Sequence, residues 1–167
     1  MAVFTFNGNQ YNTNGELPAI GTQAPKFVLT HSDLSNARLS DYAGKKVILN
    51  IFHTLDIPLC PDFEQKFHKA FEYRKDAIVL VITNDLPFAH RHLCCADVCD
   101  HVITLSMMKN RKFARDYGVL IEDGPLKGLM ARSIVVVDEV GKVIFKQQVP
   151  DIVREPDYAE VLDALKD

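Results

Sequence analysis

Two apolar runs, Val47 to Phe52 and Ala77 to Thr83, bracket a segment whose apolar residues fall at Phe63, Phe67, Ala70 and Phe71. Near-continuous β-branched and aliphatic runs of this kind are strands covered on both faces. The i, i+4, i+7, i+8 rhythm between them is a helix with one buried face. Strand, crossover helix and strand make a βαβ unit, whose strands are parallel and whose hand is right. That unit commits the chain to the α/β class.

Within it the direction of the chain changes over His53 to Pro58, and Cys60 stands immediately before Pro61 and Asp62. Proline suits a first helical turn because the amide it lacks has no partner there, and an acid favours the positive helix end. Cys60 is thereby placed at a helix N-terminus. Such a position lowers a thiol pKa from about 8.5 to between roughly 3.5 and 7.5, making a reactive thiolate. The competing role is that of a small buried hydrophobe.

The remaining pattern extends the same class. Val3 to Phe6 and Gln10 to Thr13 flank Asn7-Gly8, a hairpin signal at the N-terminus. Leu17 to Pro25 is a linking loop, Phe27 to Thr30 a strand and Asp33 to Asn36 a turn; Leu39 to Gly44 is a short connector. Leu86 to Ala96 is expected to be helical, Val102 to Leu105 a short strand, and Arg111 to Tyr117 a helix ended by Gly118. Ser133 to Asp138 and Val143 to Gln147 form a second hairpin, and Glu155 to Leu165 a closing helix with Tyr158, Val161, Leu162 and Leu165 on one stripe. With no repeat, low-complexity tract or linker, residues 1–167 are expected to form one domain, with 1–16 as a hairpin extension.

A formal charge of −3 and the absence of a basic run give no electrostatic reason to expect nucleic acid or an anionic membrane as partner. MAVFTFNGNQ has no basic n-region or apolar stretch of signal-peptide length, so the expected location is the cytoplasm. Four cysteines in a reducing compartment point to catalysis, redox chemistry or metal rather than to structural staples.

Three of the cysteines, Cys94, Cys95 and Cys99, share positions 90–101 with His90, His92 and His101. Thiolates and imidazoles are zinc ligands, but the spacing is not the two-plus-two kind of structural sites and no second ligand pair exists elsewhere. The segment is better read as the source of a second thiol: one of Cys94, Cys95 or Cys99 closing a reversible disulfide with Cys60. An accessible low-pKa thiol oxidises to a sulfenic acid that condenses with a nearby thiol, a peroxide-reducing cycle needing no metal or organic cofactor. Arg132, ahead of the strand Ile134 to Val137, would hold such a thiolate ionised if strand order brings it beside Cys60. Alternatively it is a strand-end arginine snorkelling to solvent.

Gly21, Ala24-Pro25, Phe27 and Leu29, then LSDYxGKKV from Leu39, resemble the opening of peroxiredoxins. LNIFHTLDIPLC, NDLPFA, VITLS, YGVLIEDGPLKGLMAR and EPDYAEVLDALK resemble the thiol peroxidase branch, the atypical two-cysteine type, over nearly the whole chain. The resemblance implies a thioredoxin-like fold with an N-terminal β-hairpin, a homodimer, and reduction of hydroperoxides, alkyl hydroperoxides above all, at the expense of thioredoxin. By position it makes Cys60 the peroxidatic cysteine, Cys94 the resolving cysteine and Arg132 the active-site arginine. Cys95 and Cys99 match no family role and leave room for an alternative resolving thiol.

Two positions depart from the pattern. His53 stands where the family has proline, and Ile57 where it has a threonine whose hydroxyl meets sulfur and peroxide. Thr54 is the nearest remaining hydroxyl, and His53 either transfers protons or fills the proline's space. These departures, with the His/Cys cluster, motivate a second reading: a weakened peroxiredoxin-like redox sensor or a metal-binding module on the same fold.

Overall fold

The computed structural model describes residues 1–56, 69–70, 74–92 and 100–166. Ile57, Cys60, the helix start at Pro61-Asp62, Phe63, Phe67, Phe71, Cys94, Cys95 and Cys99 lie outside these residues. Of the expected crossover helix, Lys69 and Ala70 are described and are helical.

Strand β1 (Val3–Phe6) pairs antiparallel with β2 (Asn9–Asn12) in a two-stranded hairpin. Its turn residues Asn7 and Gly8 both have positive φ, 51° and 78°, as the twist of a two-residue hairpin turn requires. The second strand runs one residue earlier than its hydropathy suggests, because Thr13 leaves the hairpin to bridge Ile121. Asp123 then accepts from both the backbone amide and the side-chain amide of Asn12 at 2.8 Å, so the hairpin is fastened to the 121–131 segment rather than hanging free.

The other strands are β3 (Val28–Thr30), β4 (Asn36–Arg38), β5 (Lys46–Ile51), β6 (Ala77–Thr83), β7 (Val102–Ser106), β8 (Ser133–Val137) and β9 (Val143–Gln148). They form one mixed sheet in the order β4-β3-β7-β6-β5-β8-β9. As expected of a βαβ unit, β5 and β6 are parallel, register Lys46↔Ala77 to Ile51↔Ile82. On its other side β5 runs antiparallel to β8, from Val47↔Val137 to Ile51↔Ser133. The β8–β9 hairpin is present, its turn closed by Asp138 Oδ1, which accepts from the amides of Val140 (3.0 Å) and Lys142 (2.7 Å).

All six residues of β5 and all seven of β6 are buried, so the central strands need two covers. Val47, Leu49, Ile51, Leu80, Ile82, Val135 and Val137 face one core, with Phe113 and Ala114 of helix α1 (Lys112–Asp116) and with Tyr117. Ile48, Phe52, Val79, Val81, Ile134 and Val136 face the other, with Tyr158 and Val161 of helix α2 (Tyr158–Ala164), Leu165, and Ala70 from the crossover segment. Helix α2 begins later than Glu155 because Asp157 is its cap, accepting from the amides of Ala159 (3.0 Å) and Glu160 (3.2 Å).

Two expectations change. Asn36, expected to end a turn, instead begins the edge strand Asn36–Arg38, held by β3 through Leu29↔Ala37. Over Leu86 to Ala96 the described helical part is a single 3-10 turn, Ala89–His92.

Candidate active site

Because Ser133 pairs with Ile51, the next residues out, Arg132 and Phe52, stand side by side where β5 ends. The chain leaves this end of the sheet for His53 and, in sequence, for Cys60. The Arg132 guanidinium carbon lies 4.9 Å from the centroid of the Phe52 ring, a cation–π contact. Its carbonyl accepts from the Val149 amide at 3.0 Å, fixing the backbone from the β9 side. The residue is 1% exposed, so it does not snorkel. None of its three guanidinium nitrogens reaches an acceptor in hydrogen-bonding geometry among the described residues.

Burial pulls the Arg132 basicity below its ordinary value; the Tyr158 hydroxyl and the Glu155 carboxylate work in the opposite direction. A guanidinium remains protonated at neutral pH under such a pull. The site therefore holds a cation out of water with donors unspent on any described residue. That arrangement favours an anion beside it, whether a thiolate or an oxygen acquiring charge, since a buried donor recovers its lost hydration only by finding an acceptor.

On the same face of β5, two residues before Phe52, the Asn50 carboxamide is fully buried and makes no hydrogen bond of good geometry with a described residue. The Tyr158 hydroxyl, from α2, faces both Asn50 and Arg132. Burial raises the tyrosine's pKa above its usual 10, so at neutral pH it is a neutral hydroxyl.

The rest of the site is a polar network at the ends of β6 and β7. Asp85 accepts the Thr54 hydroxyl at 2.8 Å on one carboxylate oxygen and the Leu55 amide at 2.8 Å on the other. Its own amide donates to Thr83 Oγ1 at 3.1 Å, and its carbonyl accepts from the Ser106 hydroxyl at 2.5 Å. Thr83 Oγ1 also meets Nε2 of the buried His90 at 2.9 Å. His53, half-buried, has its pKa lowered first by burial and then by the Arg132 charge, against a smaller opposing pull from Asp85. It is a neutral imidazole at neutral pH, beside the cation.

The structure thus brings Arg132 and His53 together at the end of β5. It assigns Thr54 differently from the expectation of a spare hydroxyl, because that proton is given to Asp85. Asn50, Tyr158 and Asp85 were missed as site residues. The available signal for Asn50 was a carboxamide inside an otherwise apolar strand; Tyr158 had none, since its ring satisfies the helix stripe.

The redoxin family model matches residues 19–162. Thiol peroxidases of Mycobacterium tuberculosis and Mycobacterium bovis are each 42% identical to this chain over 165 residues, covering 99% of both partners. The chain belongs to the redoxin family, in the thiol peroxidase branch of the peroxiredoxins. Among solved structures, a peroxiredoxin-like protein from Aquifex aeolicus superposes on this peroxiredoxin with a TM-score of 0.89 at 31% identity, covering 99% of this chain and 96% of that one. A thiol peroxidase from Chromobacterium violaceum shares the fold, with a TM-score of 0.85 at 20% identity, over 98% and 95% of the two chains. The thioredoxin-like fold and N-terminal hairpin expected from the resemblance are therefore established, and thiol-dependent reduction of peroxides is the chain's reaction class.

Proposed function

We propose that this peroxiredoxin uses Cys60 as the peroxidatic cysteine, Cys94 as the resolving cysteine and Arg132 as the cation that serves the first step. The Cys60 thiolate attacks the terminal oxygen of a hydroperoxide; the S–O bond forms as the O–O bond breaks, and the departing alkoxide takes up a proton to leave as alcohol. The resulting sulfenic acid condenses with the Cys94 thiol, releasing water and forming a disulfide. Two thiols of thioredoxin then reduce that disulfide by exchange and are themselves oxidised.

The observation that carries this reading is the guanidinium of Arg132, buried without a hydrogen-bond acceptor of good geometry among the described residues, at the strand end that Cys60 follows in sequence. Its field favours the thiolate, and its N–H groups favour the charge that gathers on oxygen as the O–O bond breaks. Alkyl hydroperoxides and hydrogen peroxide are the proposed substrates, thioredoxin the reductant, a homodimer the working form and the cytoplasm the location. Residues 1–167 act as one domain. No helix among the described residues is long and apolar enough to cross a membrane.

The engagement of Thr54 by Asp85 favours a slower version of this enzyme, because no described hydroxyl of the loop is left to stand in for the one Ile57 lacks. A peroxiredoxin-like redox sensor is the limit of that trend. The deciding experiment follows peroxide consumption with thioredoxin and its reductase. Cys60→Ser is expected to abolish turnover, while Cys94→Ser still consumes one equivalent of peroxide. Equal turnover by wild type and Cys60→Ser rejects the assignment.

A further inference from the structure

Three polar side chains sit where the second core meets the end of β5: Asn50 is 0% exposed, Arg132 1% and Tyr158 5%. Sequestering a carboxamide, a guanidinium and a phenol among Ile48, Phe52, Ile134 and Val136 is costly unless each group is used by another. The strands bring Asn50 and Arg132 to one face, since Asn50 pairs with Ile134 and the adjoining alternate residues are Phe52 and Arg132. Helix α2, started by the Asp157 cap, lays the Tyr158 ring over that face, with its hydroxyl towards both groups. Phe52 supports the guanidinium from its ring face at 4.9 Å.

We infer that Tyr158 is a positioning residue for the peroxidase reaction: its hydroxyl, which also faces the Asn50 carboxamide, orients the Arg132 guanidinium towards the reacting sulfur. The inference rests on the proposed role of Arg132. A guanidinium has five donors in a rigid fork, so a polar oxygen held beside it, even short of a hydrogen bond of good geometry, biases the direction in which its N–H groups point. The Phe52 ring restrains tilt but accepts no directional hydrogen bond, leaving rotation in the plane to the hydroxyl. Besides Tyr158, the charged or titratable described groups that act on Arg132 are Glu155 and His53. Glu155 keeps the cation favourable without being part of the buried trio.

Tyr158→Phe separates orientation from packing, because it keeps the ring and removes only the oxygen. The measurement is the second-order rate constant for oxidation of the pre-reduced full-length protein by cumene hydroperoxide, with the pH dependence of that rate, in wild type, Tyr158→Phe and Arg132→Lys. Thermal unfolding is recorded in parallel. The expected result is a rate about 10-fold lower in Tyr158→Phe, as for partial loss of a preorganised donor. The apparent thiol pKa read from the pH profile is expected to move upwards, with the melting temperature nearly unchanged.

Loss of rate in Arg132→Lys with wild-type rate and profile in Tyr158→Phe overturns the inference and leaves the role of Arg132 intact. Wild-type behaviour of Arg132→Lys itself overturns that role, and the inference with it. A slower Tyr158→Phe with an unmoved pH profile and a lowered melting temperature makes the hydroxyl structural and also overturns the inference. Should Tyr158→Phe fail to fold, Asn50→Leu carries the test with the same readouts, expected to shift rate and profile in the same direction by a smaller factor.

Discussion

The Thr54 hydroxyl is bound to Asp85: its proton is donated across 2.8 Å to one carboxylate oxygen while the Leu55 amide fills the other. One acid at the end of β6 thus fixes two successive residues of the segment that leaves β5. Because Asp85 is itself tied to Thr83 and Ser106, this segment inherits the rigidity of the sheet. Asp85→Ala strands two donors, and each loss of a partner by a part-buried group costs about 1–3 kcal/mol. The expected outcome is a drop of that order in unfolding free energy by urea titration, with slower peroxide consumption. Unchanged stability would show that the clamp is not maintained in solution.

Since Thr54 is engaged, the hydroxyl missing at position 57 has no described substitute. Ile57→Thr is therefore expected to raise the rate of peroxide reduction, by up to about 100-fold if the new hydroxyl donates to developing charge. Steady-state turnover with thioredoxin and its reductase measures this. A variant no faster than wild type would mean that another group already supplies the function.

Much of the fold was legible because the central strands carry their burial in their own composition. Val47 to Phe52 and Ala77 to Thr83 read as doubly covered, and they are. The edge strand Asn36–Arg38 was not legible: three residues are too few for alternation to register, asparagine and alanine have low strand propensity, and pairing with β3 is what makes them extended. For the site, local pattern located Arg132 but not its burial, which follows from β5 and β8 pairing across more than eighty residues of sequence. Tyr158 escaped notice because one ring serves an apolar stripe and a polar site at once, and periodicity registers only the first.

The buried His90 and the half-buried His53 give the stability a pH dependence. Burial is the largest cause lowering the pKa of both His53 and His90 in the folded state. A histidine with a depressed native pKa binds fewer protons folded than unfolded, so its neutral form stabilises the fold above the unfolded pKa of about 6.5. That contribution is lost as pH falls below 6.5 towards the folded value. Urea midpoints are expected to decline between pH 6.5 and 5, and His90→Gln, which keeps an amide near Thr83, is expected to flatten the decline. An equal slope in the variant would remove His90 from the account.

Gly118 ends α1 with φ at 68°, and a Cβ there would lie 2.2 Å from the Glu16 carbonyl oxygen. Backbone atoms cannot yield that distance. Gly118→Ala is expected to cost more than about 1 kcal/mol in thermal or urea unfolding, since both the left-handed conformation and the close approach penalise it. A neutral effect would require the Glu16 loop to move away from α1 without loss.

If the sulfur of Cys60 lies in the field of Arg132, the pH dependence of its reaction must show it. With Cys94, Cys95 and Cys99 all replaced by serine to isolate the first step, alkylation of Cys60 by iodoacetamide is followed from pH 4 to 10, beside oxidation by cumene hydroperoxide. The expected thiol pKa is well below the free value of about 8.5 and rises when Arg132→Met removes the cation, with rapid oxidation in the parent alone. A pKa near 8.5 that Arg132→Met does not change, together with slow oxidation in both proteins, would show that Arg132 does not activate Cys60.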